Sequence, residues 1–406
     1  MATQHLEYIK TQSHSITGST IAHWQHLHAL PELSFNEVNT SQYIANQLDS
    51  YGIEWHRVRN STSIIGIIRG KGIGRTVGIR AELDALPLTE LGNSEHASRN
   101  NGVMHACGHD IHMATLLSAG YILKELKEQL EGQVLLIFES GEEQLPGGAN
   151  AILHSDFFNR HKPDAMLALH VLPELKAGQA GLAEGRYMAS GDEIHLTVKG
   201  KGGHAALPHT LIDPVVMASS LILSLQQVIS RNAPALIPSV LSFGKVVANG
   251  ATNIIPDEVH IEGTFRTMDE NWRSEAHKHI EQICLNTCRA AGGDCVVDIR
   301  RGYPSVFNNV GLTRQVRGLL SGYLGDANIA TLEPRMTTDD FAFFSQAIPS
   351  VFFRIGVGFS DTPPYQLHSP TFKANGEALR SSPGLLAWVV MGLLDSSCKT
   401  FETVPN

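Results

Sequence analysis

Read as a pattern of apolar and polar positions, the first part of the chain alternates between two periods. Over 36–51 apolar side chains recur at helical spacing, with Ile44, Leu48 and Tyr51 on one stripe and Gly52 placed to end the helix. Short apolar runs at 64–68, 77–79, 134–138 and 166–169 predict buried strands, the first two bounded by glycines. Between them, 110–127 predicts a helix with Asp110 in its first turn, where the helix dipole favours a carboxylate. Wholly apolar strands alternating with helices predict an α/β fold with a mostly parallel sheet flanked by helices. In such sheets chemistry gathers beyond the carboxyl ends of the strands.

A second pattern begins near Gly191. Residues 193–199 alternate apolar and polar, and 213–230 follows as a helix with Pro214 at a favoured early position. Strands are predicted at 239–246 and 258–267, a helix at 270–291 and a strand at 295–300. The order β-α-β-β-α-β is that of a ferredoxin-like module, here inserted into the first domain. After Gly302 the chain returns to α/β character and ends in a helix over 382–394. The expected division is therefore a discontinuous domain of residues 1–189 and 302–406 and an inserted domain of 190–301. Two domains are also the default for 406 residues.

Composition narrows the class. The chain is 42% hydrophobic and 17% charged, as soluble globular proteins are, with no apolar run long enough to cross a membrane. Its first residues lack the basic-then-apolar shape of a secretory signal. A net charge of −9 argues against a nucleic-acid or anionic-membrane surface. Five cysteines (Cys107, Cys284, Cys288, Cys295, Cys398) make an odd count, which disfavours a disulfide framework and fits a cytoplasmic location. Cys284 and Cys288, four apart in a helical pattern, read as structural thiols on one face.

The chemistry concentrates in His105-Ala-Cys-Gly-His-Asp-Ile-His112, three imidazoles, a thiol and a carboxylate within eight positions. Cys and His suit zinc, cobalt or manganese, and the run opens a predicted helix beside strand ends. The strand at 134–138 runs out into Glu139-Ser-Gly-Glu142-Glu143, that at 77–79 into Glu82-Leu-Asp84, and that at 166–169 into His170. Adjacent carboxylates at such an exit point in different directions, so one can bind metal while the other moves protons. Taken singly, the Glu142-Glu143 pair reads equally as an exposed acidic turn, and His170 and His368 as ordinary structural histidines.

Together these residues resemble the M20 metallopeptidase family. Arg80-Ala-Glu-Leu-Asp-Ala-Leu-Pro87, the Cys-His run, Glu142-Glu143, Leu169-His170 and Leu367-His-Ser-Pro370 are most similar to its amidohydrolase branch. That branch includes hippurate hydrolases, N-acyl-amino-acid aminoacylases and indole-acetyl-amino-acid hydrolases. His28-Ala-Leu-Pro-Glu-Leu-Ser-Phe35, Gly200-Lys-Gly-Gly-His-Ala-Ala-Leu-Pro-His209, Asn253-Ile-Ile-Pro256 and Gly263-Thr-Phe-Arg266 match as well. The resemblance implies two divalent metal ions per subunit (Zn, Mn, Co or Ni), with Cys107, His109, Glu143, His170 and His368 as ligands and Cys107 shared between the ions. It implies Glu142 as general base, Asp84 as an acid that orders the site, and His204 and Asn253 as residues that reach an active site from the inserted lid. Arg266 is similar to the residue that holds the substrate carboxylate, and the inserted domain implies a homodimer.

The implied reaction is coherent on its own terms. Amide hydrolysis needs an activated water, a stabilised oxyanion and a protonated leaving amine, and metal ions, Glu142 and His204 answer these needs. The expected substrate is an N-acyl-L-amino acid. Departures from the branch pattern are Glu139-Ser-Gly141 for the usual Gln-Pro-Ala, Gln144-Leu-Pro146 within a usual glycine run, Glu82 for Asp and Asp339 for Glu. A dipeptidase or carboxypeptidase on the same scaffold, a thiol hydrolase using Cys107 with His109 or His112, and a silent metal-binding scaffold are the competing readings.

Overall fold

The structure is a computed structural model that describes residues 2–92 and 95–395; Cys398 lies outside them. In chain order the first strands are β1 (Glu54–Arg57), β2 (Ile64–Arg69) and β3 (Lys71–Glu82). They are followed by β4 (Glu131–Glu139), β5 (Ala165–Lys176) and β6 (Ala180–Leu182). Next come β7 (Asp192–Lys199), β8 (Ser239–Val247), β9 (Glu258–Thr267) and β10 (Asp294–Arg301), and then β11 (Ile329–Thr331) and β12 (Ser350–Gly358). The longer helices are α1 (Ala2–Ser15), α2 (Thr17–Ala29), α3 (Val38–Ser50) and α4 (His109–Glu125). After these stand α5 (Pro214–Gln227), α6 (Glu270–Ala290), α7 (Val310–Leu324) and α8 (Ser382–Leu394).

The chain forms two compact units. The first contains the described chain up to Gly185, Phe307–Glu333 and the described chain from Asp339 on; the second contains Arg186–Val306 and Pro334–Thr338. The first unit is built on an eight-stranded sheet of order β1-β2-β4-β3-β5-β12-β6-β11. Its centre, β4-β3-β5-β12, is parallel, and antiparallel pairs stand at β1-β2, β2-β4 and β12-β6. The central strands are buried on both faces, as helix-covered parallel strands must be: every residue of β12 is buried, and so are the first nine of β5. One core joins Ile44 and Leu48 of α3, Leu116 and Leu117 of α4, Val134 and Leu136 of β4, and Leu386 and Val390 of α8. α4 is buried almost all round, from His109 to Leu123 with only Tyr121 less so, which makes it an interior element that can hold side chains still.

The second unit is the predicted β-α-β-β-α-β module. Its antiparallel sheet has the order β8-β9-β7-β10, the second, third, first and fourth strands of the module side by side. Its own core packs Ile194, Leu196 and Val198 of β7 against Leu221 and Leu225 of α5 and Ile280, Cys284 and Cys288 of α6. Both α5 and α6 open on an aspartate cap: Asp213 accepts from Val215 and Val216 N–H, and Asp269 from Trp272 N–H. Cys284 and Cys288 do share the buried face of one helix.

Some boundaries differ from the sequence pattern. β3 starts at Lys71, well before the apolar run at 77, because it first extends as an exposed stretch and only then becomes buried. β5 does not stop at His170 but continues to Lys176. The helices α1, α2 and α7 were not predicted; α2 is rich in His and carries little apolar periodicity. Among the described residues, no helix is long and apolar enough to cross a membrane.

Candidate metal centre

The start of α4 sets the site. Gly108 precedes it with φ +85°, and a Cβ there would stand 2.5 Å from Val171 Cγ2, so both backbone conformation and space require glycine. This turn places Cys107 and His109 on either side of Gly108. Cys107 Sγ lies 3.3 Å from His170 Nε2 on β5 and 3.3 Å from His368 Nε2. His368 holds φ +57° and its backbone N–H donates to Ala106 O at 2.9 Å, which tethers its loop to the Cys-His run.

Carboxylates arrive from the loop after β4. Gly141 turns that loop at φ +70°, with the Phe35 ring 2.3 Å from where a Cβ would be. Glu143 Oε1 comes to 3.2 Å from His368 Nε2 and 3.9 Å from His109 Nε2; Glu142 Oε2 lies 3.8 Å from His109 Nε2. Candidate ligand atoms of Cys107, His109 and His170 lie within 4.8 Å of one another, as do those of Cys107, Glu143 and His368, and those of His109, Glu142 and Glu143. The structure thus brings together all five residues expected as ligands, with Glu142 beside them.

The hydrogen bonds behind these groups orient them. His109 Nδ1 donates to the Asp84 carbonyl at 2.8 Å, and His109 Nε2 is buried without a hydrogen-bond partner. His170 Nδ1 donates to Val171 O at 2.8 Å, which leaves its Nε2 lone pair facing Cys107. Asp84, fully buried, accepts from Ser34 Oγ at 2.7 Å and from Glu143 N–H at 2.9 Å. Burial works against its charge, but the hydrogen bonds from His109, Ser34 and Glu143 hold its carboxyl below the usual range.

His112 is different. Its Nε2 accepts from Val171 N–H at 2.9 Å and its Nδ1 donates to Glu82 Oε2 at 2.7 Å, so both ring nitrogens are used. It lies within 4.8 Å of His109 and Glu82, yet it supports the site and has no lone pair left for an ion. His105 is buried with neither ring nitrogen hydrogen-bonded, and burial lowers its pKa to about 4.

A third set of charges lies behind the first. Arg80, wholly buried on β3, donates from Nε to Glu139 at 2.5 Å and from Nη2 to Asp340 at 2.5 Å, and it also pairs with Glu82 and, at 3.1 Å, with Asp339. Glu82 and Asp339, which depart from the branch pattern by one methylene each in opposite senses, thus meet the same guanidinium. Carboxylate atoms of Glu142, Asp339 and Asp340 lie within 4.8 Å of one another. Burial first, and then Asp339 and Glu143, push the Glu142 carboxyl well up. Arg80 was assigned no role in the sequence pattern, although it opens the motif at 80–87 and puts a charge into the buried half of β3.

The donor set fits divalent metal. Burial, reinforced by Glu143 and Glu142, holds the Cys107 thiol well above its ordinary pKa, so the protein alone provides no force that would ionise it as a nucleophile. Burial would lower the His109 pKa, but Glu82, Asp84 and Glu143 outweigh it and raise it to about 10. Soft and borderline donors converging in a negative field are what zinc-like ions select.

The second unit holds the other expected residues. His204, exposed, sits in a two-residue strand, Gly203–His204, paired with Ile254–Ile255, and its Nδ1 accepts from Ala206 N–H at 3.1 Å. Asn253, also exposed, accepts from Ala205 N–H through its carbonyl at 3.1 Å, so it is held beside His204. Arg266 is partly buried on β9, with its guanidinium against Gly191, where a Cβ would stand 2.5 Å from Nη1.

Comparison with known proteins gives the family. The sequence profile of Peptidase family M20/M25/M40 matches residues 78–381. Two Arabidopsis thaliana proteins are similar over most of their length. IAA-amino acid hydrolase ILR1-like 5 is 38% identical over 91% of this chain and 86% of its own. IAA-amino acid hydrolase ILR1-like 4 is 36% identical over 87% and 80%. A solved structure of a dinuclear metal-binding M20 peptidase from Bacillus subtilis superposes with a TM-score of 0.80 at 29% identity, covering 94% of this chain and 99% of that one. The chain belongs to the M20/M25/M40 peptidase family and is a metal-dependent hydrolase.

Proposed function

We propose that the protein hydrolyses the amide bond of N-acyl-L-amino acids, releasing a carboxylic acid and a free amino acid. The observation that carries the reading is the convergence of Cys107, His109, Glu143, His170 and His368 with Glu142 alongside. The relatives named as hydrolases of amino-acid conjugates favour this bond over others in the family's range. Two divalent ions would be held by those five residues, and when bound they lower the pKa of water and polarise a carbonyl.

The chain's own residues do the rest. Glu142 takes the proton of the attacking water and returns it to the leaving nitrogen. Asp84 fixes both His109 and the Glu143 backbone. Motif similarity assigns His204 to stabilising the oxyanion, Asn253 to substrate binding and Arg266 to the substrate carboxylate, for which a guanidinium offers two parallel hydrogen bonds. A ligand thiol at Cys107 must stay reduced, which ties activity to a reducing compartment such as the cytoplasm.

We further propose a homodimer formed through the second unit. β8 is an edge strand with Val240 and Val246 exposed, and α5 exposes Val216 and Leu223. Sedimentation should give twice the chain mass, and Leu223→Glu should shift it toward the monomer. The activity itself is tested by a screen of N-acetyl, N-benzoyl and indole-acetyl amino acids with Zn, Mn, Co or Ni added. Release of free amino acid from at least one class is expected; no release from any, with peptides cleaved instead, overturns the reading.

A further inference from the structure

The first unit has a cavity of about 510 Å³ whose lining includes none of the five ligand residues and not Glu142. Its size is that of a small-molecule site. Trp24, Phe359 and Phe372 give it aromatic walls. One part of the lining is an acid-rich group: His28 Nδ1 bonds Asp110 Oδ2 at 2.7 Å, His28 Nε2 lies 3.3 Å from Glu90 Oε1, and Trp24 Nε1 donates to Asp110 Oδ2 at 2.9 Å. Two carboxylates share one imidazole there, so this region is negative whether or not the imidazole carries a proton. Lys373 and Gln25 line the same cavity, and the side chain of neither makes a hydrogen bond or ion pair with any described residue.

These features select a class of occupant. A simple anion would suit Lys373 but meet two carboxylates. A simple cation would suit Glu90 and Asp110 but meet Lys373. A purely apolar molecule would cover the charges without pairing them, which is costly. A zwitterion with an aromatic or large apolar group answers Lys373, the two carboxylates and the aromatic walls together.

We propose that this cavity binds a free α-amino acid with an aromatic or large apolar side chain, its carboxylate on Lys373 and Gln25, its ammonium toward Glu90, and its side chain against Trp24 and Phe372. The assignment rests on the cavity alone. Where the amide-hydrolysis reading also holds, the occupant is the class of the reaction's amine product, so turnover would supply it. Asp110 stands next to His109 in the first turn of α4, so the cavity adjoins the helix start that carries a ligand residue.

Calorimetric titration of the metal-loaded full chain with L-phenylalanine tests this. Binding is expected in the wild type, and one binding event should disappear in Ala374→Trp, which fills the cavity, and weaken at least about threefold in Lys373→Met, which removes only the surface charge. kcat/KM for hydrolysis should be unchanged in Lys373→Met. 3-Phenylpropanoate and 2-phenylethylamine, each lacking one charge, should bind this site at least about threefold more weakly than phenylalanine. No binding to wild type, binding unchanged in both variants, or equal binding of either single-charge analogue overturns the proposal. The titration needs no turnover, so its failure is distinguishable from failure of the hydrolysis screen.

Discussion

Two buried polar clusters in the first unit stand at the ends of neighbouring strands and differ in the source of positive charge. Around Arg80, four carboxylates from β3, β4 and the 339–340 segment meet a guanidinium that the chain itself supplies. Around Cys107, a thiol, three imidazoles and a glutamate converge with no Lys or Arg among them. A carboxylate-rich interior is stable only if each charge is paired or neutralised. The Arg80 cluster takes its cation from the chain itself and supports the site, whereas the Cys107 cluster has the donors of a cation site. Glu142 lies between them, within 4.8 Å of Asp339 and Asp340 on one side and beside His109 on the other.

The largest effect should follow from a chelator. Dialysis against one is expected to abolish hydrolysis, with recovery on adding divalent metal, while the fold measured by circular dichroism is kept. Iodoacetamide should label Cys107 faster in the chelated protein than in the metal-loaded one, because coordination occupies the thiolate. Activity that survives chelation, or equal labelling, would return Cys107 to the thiol-hydrolase reading.

Next in size is Glu142→Gln, which keeps shape and removes the proton acceptor. A loss of about 10² to 10⁴ in kcat is expected with metal content unchanged. A variant that keeps a tenth of wild-type turnover would show that the base lies elsewhere.

Arg80→Met probes the other cluster. It keeps an apolar stem and leaves Glu82, Glu139, Asp339 and Asp340 buried without their cation. Breaking a buried network from one side costs about 3–5 kcal/mol, read as a shifted denaturation midpoint. A midpoint at the wild-type position would mean that the carboxylates are neutral without Arg80.

The two clusters were unequally legible in the sequence. Cys107 and His109 stood out because ligand-type residues crowd one short run, and adjacent carboxylates marked Glu142 and Glu143. His170 and His368 are single imidazoles whose meaning comes from a partner 63 and 261 residues away, so only family resemblance tied them to Cys107. His112 has the same chemistry as His109 but points to Glu82 and the Val171 backbone, and no pattern of residue types separates a ligand from its support. The Arg80 cluster was unread because its four acids lie on three segments far apart in the chain that meet only when the protein folds. Several strands and helices of both units were legible from their apolar pattern; α2 was missed where that pattern is weak, and α7 was missed although Leu312, Val316, Leu320 and Tyr323 form a buried stripe on it.

The smallest expected effect is also the finest test of the comparison. The Arg80 cluster has four carboxylates for one guanidinium, so the chain's cation does not balance them all. Glu139 is where the surplus falls: burial first, and then Asp340, hold its carboxyl well above its ordinary value, against the pull of Arg80. A carboxyl whose folded pKa is raised binds more protons folded than unfolded, so its contribution to stability is greatest below about pH 4.5 and is lost as pH rises toward the folded pKa. Glu139→Gln keeps a neutral group of the same shape at all pH values. It should therefore match wild type in acid and be more stable at neutral to alkaline pH, by roughly 2 °C in Tm if the gain is about 1 kcal/mol. Thermal melts of the two proteins across pH 4–9 check the sign. A Glu139→Gln protein less stable than wild type at pH 8 would mean that Glu139 is an ionised partner of Arg80, and the surplus charge would then have to be neutralised at Asp339 or Asp340, whose carboxyls burial also raises.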